Sequence, residues 1–164
     1  MPPAARVADN VMHPLPPVLT PGPGSMDVLI GFMPAWRGIP AAAAAALKAA
    51  KQIADTAITV AETATKAAAG TPGAPAAYAA EQAAKTAAGA SLGAMASSLG
   101  AMSDIHSCIV PSPVPPHGPG LVIDGSASVL TNNMPQSRMG DTVLEPLGPP
   151  NKIVKGFPQV MVGN

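Results

Sequence analysis

The stretch Gly24-Ser25-x-x-Val28-Leu29-x-x-x-Met33-Pro34-x-x-Arg37 returns later in the chain as Gly125-Ser126-x-x-Val129-Leu130-x-x-x-Met134-Pro135-x-x-Arg138, with identical spacing. A phrase repeated in register implies a structural unit used more than once. Two further matches extend it. Pro3-x-x-Arg6-x-x-Asp9 aligns with Pro135-x-x-Arg138-x-x-Asp141, and Gly156-x-x-x-Val160-Met161 aligns with Gly24-x-x-x-Val28-Leu29. The chain thus divides into three units, running from about 3 to 30, 34 to 130 and 135 to 162. Each begins P-x-x-R and ends G-x-x-x-V-[LM].

Each unit reads as a turn, a polar loop and a short strand. The glycine is expected to make a tight turn before the strand. The V-L or V-M pair supplies β-propensity and is expected to supply the buried contact. One such unit is too short to bury an apolar face alone, so three are expected to pack about one axis. A pseudo-threefold object of this kind suits a trimeric partner. Arg6, Arg37 and Arg138 are expected to tie neighbouring loops together through backbone carbonyls. Trp36 occupies one repeat position only, and two roles stand open for it: anchoring an inserted segment or facing a partner.

That inserted segment is residues 40–103, PAAAAAALKAAKQIADTAITVAETATKAAAG-TPGAP-AAYAAEQAAKTAAGASLGAMASSLGAMS. Alanine has the highest helix propensity. Pro40 suits a first helical turn and Gly70 a C-terminal stop, with Thr71 to Pro75 as a break. Leu47, Ala50, Ala54, Ile58 and Ala61 form a weakly apolar stripe. A helical hairpin follows, less secure beyond Gly89, where Gly93 and Gly100 weaken it. The hairpin interrupts the second unit only. The expected fold is therefore mainly β: a small pseudo-threefold cone from residues 1–39 and 104–164, with an Ala-rich hairpin inserted at 40–103.

The 21 Pro and 16 Gly would suggest disorder if spread evenly, but they avoid the Ala block and recur beside the β-type runs, as turns do. Net charge is zero and 11% of residues are charged, so no basic patch argues for nucleic acid. Lys48, Lys51, Asp55, Glu62 and Lys66 argue against a simple membrane span in the hairpin, and Thr86 to Ser103 is short for one. No apolar run follows the N-terminal Pro and Arg, so no signal peptide is expected.

One cysteine excludes an intrachain disulfide and leaves a thiol that is reduced, buried or metal-bound. With His13, His106 and His117, Cys108 completes a four-donor tetrahedral set suited to zinc. His13 stands four residues after Asp9, Cys108 four after Asp104, and Glu145 four after Asp141. The same loop thus offers His, Cys and Glu in turn, and Glu145 is the alternative oxygen ligand. The competing reading is loop histidines, one small buried thiol and a solvated loop carboxylate. A small domain with 2% aromatic residues gains much from a structural metal, on the order of 10 kcal/mol of coupled folding energy.

Ala4-Ala5-Arg6-x-x-Asp9-x-x-x-His13 resembles the AARxxDxxxH phrase, called prePAAR, of type VI secretion proteins. Gly125 to Asp141 resembles the PAAR repeat, although the motif itself reads PAWR at Pro34 and PQSR at Pro135. The resemblance covers the residues outside the hairpin. It implies a spike tip: a β cone that caps a homotrimeric VgrG-like needle of a contractile injection system and pierces a target membrane during effector delivery. It implies structural zinc at His13, His106, Cys108 and His117. It places the protein in the bacterial cytoplasm before firing, then at the tip of the apparatus, then outside or in a target cell. The alternative is an adaptor whose hairpin recruits a chaperone, toxin cargo or membrane. If Asn164 ends the whole protein, cargo is expected to bind noncovalently, or the tip only pierces. An enzyme is not expected, because four donors would fill the metal's shell and leave no open position.

Overall fold

The computed structural model describes residues 1–12, 23–107 and 118–163. Its elements run β1 (Pro3–Ala4), β2 (Leu29–Ile30), β3 (Met33–Pro34), α1 (Ala41–Ala68), α2 (Ala74–Gly100), β4 (Ile105–Ser107), β5 (Pro119–Val122), β6 (Leu130–Thr131), β7 (Met134–Pro135), β8 (Thr142–Leu144), β9 (Asn151–Lys152) and β10 (Phe157–Met161). The chain is not mainly β, contrary to the expectation from the repeat. Helices of 28 and 27 residues outweigh strands of two to five, and the protein is a mixed α/β chain: one long helical hairpin plus several small antiparallel sheets. The physical reason is that each repeat spends most of its length on turns and loops. Its hydrogen bonds go to neighbouring units rather than to long ladders.

The repeat is visible in those hydrogen bonds. Ala5, Trp36 and Ser137 hold the third position of P-x-x-R. The Ala5 N–H donates to the Ser137 carbonyl (2.9 Å), the Ser137 N–H to Trp36 (2.9 Å) and the Trp36 N–H to Ala5 (3.1 Å), closing a ring of three. A second ring runs one residue after each arginine, where Val7, Gly38 and Met139 donate to Pro34, Pro135 and Pro3. Single β-bridges Arg6 to Ala35, Arg37 to Gln136 and Arg138 to Ala4 repeat the same cyclic order. The side-chain amide nitrogen of Gln136 lies within hydrogen-bond distance of all three ring carbonyls, of Ala5, Trp36 and Ser137, at 3.1, 3.1 and 3.0 Å, and shares its two hydrogens among them. A single nitrogen equidistant from three equivalent oxygens marks the pseudo-threefold axis.

Three hairpins surround that axis. In β2–β3, Leu29 pairs with Pro34, and in β6–β7, Leu130 pairs with Pro135. The third is assembled from the two ends of the chain: β10 pairs with β1, Met161 opposite Pro3. The repeat glycines are needed for space at this point. A Cβ on Gly24 would meet Pro34, one on Gly125 would meet Pro135, and one on Gly156 would meet the Pro3 and Ala4 carbonyls, each within 3 Å. Of the three, Gly24 alone has a positive φ, +59°.

Trp36 is fully buried with Ala5, Val7, Val11, Val122, Val143 and Ile153. Neither role left open for it is correct; it fills the centre of the repeat body. A second cluster joins the hairpin to that body through Ile39, Leu47, Leu92, Ala96, Leu121, Ile123 and Leu144. The second helix continues past Gly89 to Gly100, because its glycines serve contact: a Cβ on Gly89 would press on Leu147, and one on Gly100 would collide with Ile105. Lys85 joins Glu62 of α1 to Glu81 of α2 at 2.8 and 2.6 Å. Among the described residues, no helix is long and apolar enough to cross a membrane.

Gln136→Ala is expected to lower unfolding free energy by about 2–4 kcal/mol, from the lost amide donors to the ring carbonyls, the stranded Thr131 hydroxyl and a cavity at the axis; urea unfolding checks it. Splicing Ile39 directly to Asp104 recreates the R-x-x-D spacing of the other two units. With Ile123→Thr and Leu144→Thr to suit the newly wetted face, the spliced chain is expected to lose its helical circular dichroism and still unfold cooperatively.

Candidate docking face and the buried His106–Glu145 pair

Each unit is locked by one arginine and one aspartate. The Arg6 backbone N–H and guanidinium both bind Asp9, with the closest contact at 2.8 Å. Arg138 binds Asp141 in the same way at 2.7 Å. In the second unit the partners are Arg37 and Asp104, on opposite sides of the inserted hairpin, with contacts at 2.6, 3.1 and 2.8 Å. The aspartates are almost wholly buried. The hydrogen bond with Asp104 holds the Arg37 guanidinium above its ordinary value, while burial pushes the Asp141 carboxyl up despite Arg138 beside it. Each arginine also donates to a carbonyl, Arg6 to Ile30, Arg37 to Gly24 and Arg138 to Asp124 and Gly163. The carbonyl contacts follow from the repeat reading. The aspartate partners of Arg6 and Arg138 stand in the R-x-x-D spacing, whereas that of Arg37 lies beyond the hairpin.

The hairpins are latched head to tail. The Ser25 hydroxyl at the start of the first meets Asn132 at the turn of the second, 2.6 Å. The Ser126 hydroxyl at the start of the second donates to the Gly163 carbonyl at the end of the third, 2.6 Å. The Phe157 ring at the start of the third covers Gly31 at the turn of the first, and Arg6 stacks on that ring at 4.6 Å. Hydrogen bonds from Asn132 and Ser25 hold the Asp27 carboxyl below its ordinary value of 3.8. The stability it lends is therefore present above pH 3.8 and is lost as pH falls through its lower folded value.

A closed ring of equivalent hairpins turns equivalent residues to the same side. Val28, Val129 and Val160 are 37%, 38% and 38% exposed, and Leu29, Leu130 and Met161 are 59%, 57% and 49% exposed. The V-L and V-M pairs do not supply the buried contact expected of them. Two turns complete this face. Gly31 and Phe32 have φ +55° and +66°, and Asn132 and Asn133 have φ +52° and +62°, as a two-residue hairpin turn requires.

Elsewhere in the body, His106 on β4 and Glu145 after β8 are buried together, with Nε2 and Oε1 3.5 Å apart. Imidazole and carboxylate are both ordinary zinc donors, so this pair fits two of a metal's ligands. Among the described residues, no group of three or more His, Cys, Asp or Glu is placed to hold a metal. His13, Cys108 and His117 lie outside the described residues. The expectation of Glu145 as a solvated loop carboxylate is not met, because it is 1% exposed.

No family model, curated protein or solved structure matches this chain.

Proposed function

We propose that this protein is a structural spike tip that caps a homotrimeric VgrG-like needle of a contractile injection system. One chain offers three equivalent strand pairs, two of them closed by turns, and the docking surface is their exposed Val and Leu or Met pairs. The observation that carries the reading is the match of exposure at equivalent residues, within a point among the three valines. Apolar strand edges left open invite association. An apolar edge repeated three times about one axis suits a partner with three identical subunits. The resemblance to PAAR repeats supplies the kind of trimer, the piercing of a target membrane and the passage from bacterial cytoplasm to tip to target.

The same reading assigns structural zinc to the chain. His106 is the described donor, Glu145 stands beside it, and the resemblance adds His13, Cys108 and His117. The metal would cross-link loops that a core poor in aromatics holds weakly. No catalytic step is assigned to any residue.

The adaptor reading adds to this one, and a surface favours it. Ile53, Val60 and Tyr78 of the hairpin are 73%, 66% and 56% exposed.

Docking is tested by mixing purified chain with trimeric VgrG-like proteins from a type VI system and from an extracellular contractile particle, and weighing complexes by light scattering. One chain per trimer is expected. Leu29→Asp with Leu130→Asp is expected to abolish the complex without lowering the melting temperature, since both side chains face solvent. A double variant that docks normally overturns the face. For the metal, elemental analysis is expected to give one zinc per chain, lost in His106→Ala together with a fall in melting temperature. A folded wild-type chain free of metal overturns the zinc assignment.

A further inference from the structure

We infer that Phe32 is the anchor residue of the docking face, seated in an apolar socket on one subunit of the trimeric partner. This rests on the docking reading above and adds to it an asymmetry: one of the three corners binds more tightly than the others.

Two independent observations meet at Phe32. Its side chain is 94% exposed, in a chain that has only two Phe, one Trp and one Tyr. Its backbone has φ +66°, a region that bulky side chains rarely occupy. Neither is needed for the fold. The equivalent turn of the second hairpin is made by Asn132 and Asn133, and Asn tolerates this conformation far better. A phenylalanine here thus costs the isolated chain twice, in strain and in wetted apolar surface. Strain held at an exposed position points outward, to a partner that offsets it.

The corners differ in the same sense. The first hairpin also carries Met26, 94% exposed, where the second carries Ala127. The other phenylalanine, Phe157, is used inward, against Gly31 and Arg6. Phe32 lies at the tip of the first hairpin, between the paired residues Ile30 and Met33, and almost all of its ring is open to solvent. Interface cores favour aromatic residues, and a few such anchors carry most of the binding energy. On a symmetric trimer the three sockets are identical, so Phe32 fills any one of them and the stoichiometry stays at one chain per trimer.

The test uses the full chain and the VgrG-like trimer that forms the complex in the docking experiment. Phe32→Asn installs the residue of the equivalent turn. It is expected to weaken docking at least tenfold while the melting temperature holds or rises, because strain is relieved. Phe32→Tyr is expected to dock within a few-fold of wild type. Docking of Phe32→Asn within twofold of wild type, while Leu29→Asp with Leu130→Asp fails to dock, sinks the anchor and leaves the docking face standing. A melting temperature lowered by several degrees in Phe32→Asn also sinks it, because the ring is then serving its own fold. If wild type docks on neither trimer, face and anchor fall together.

Discussion

Everything in the repeat body depends on the ring in which Ala5, Trp36 and Ser137 pass backbone hydrogen bonds around one axis. Each link joins residues far apart in sequence, so none forms without chain closure. Ordering such contacts costs entropy that strands of two or three residues cannot offset alone. The Gln136 amide changes the balance. It places a donor against three carbonyls in a fully buried centre, where a hydrogen bond is electrostatically stronger than in water. Only one side chain fits on an axis, and the equivalents of Gln136 are Ala4 and Ala35, both fully buried. The next position follows the same rule: Trp36 is large, while Ala5 and Ser137 are small. Three identical chains have no means of breaking symmetry in this way, and a single chain does. The variation among PAAR, PAWR and PQSR is therefore a packing solution.

The inserted hairpin obeys a matching constraint. The Arg37–Asp104 lock has the geometry of Arg6–Asp9 and Arg138–Asp141, although its partners are 67 residues apart rather than three. Antiparallel helices of nearly equal length return the chain to its starting point, so an insertion between Ile39 and Asp104 leaves the lock intact. The hairpin is not merely tolerated. It covers Ile39, Leu121, Ile123 and Leu144, an apolar flank of the body. Several of its charges are paired between the helices and at the body: Lys85 bridges Glu62 and Glu81, and Lys51 reaches Asp55 and the Pro146 carbonyl.

Much of this arrangement was legible in the sequence because Gly, Pro and Arg were fixed by sterics and hydrogen bonding rather than by propensity. Gly24, Gly125 and Gly156 pass within contact distance of the next unit's proline strand, and no side chain fits there. The fold class was misread because the repeats were weighted by number, while the hairpin supplies most of the regular structure. Val28 and Leu29 misled for another reason. β-propensity reports fit to a pleated surface and does not say which side is wet. Trp36 was ambiguous because one aromatic on a threefold framework has no partner in the other units to set its direction. Glu145 looked like a loop carboxylate until the fold brought His106 beside it, which nothing in their spacing encodes.

Strands β1 and β10, far apart in sequence, complete the third hairpin, and this sets its corner apart from the other two. Met161 pairs with Pro3 as Leu29 pairs with Pro34, and the Val162 N–H donates to the Pro2 carbonyl at 2.9 Å. The third corner therefore lacks the covalent turn that Gly31-Phe32 and Asn132-Asn133 give the other two. It is held instead by the Ser126 hydroxyl and Arg138 guanidinium, both of which donate to the Gly163 carbonyl. The packing of Val162 and Phe157 against Ala4, Ile30 and Ala35 adds an apolar contact to those hydrogen bonds. On the docking reading proposed above, binding energy gathered at the first corner would bear on a covalently continuous turn rather than on a corner assembled from two distant segments.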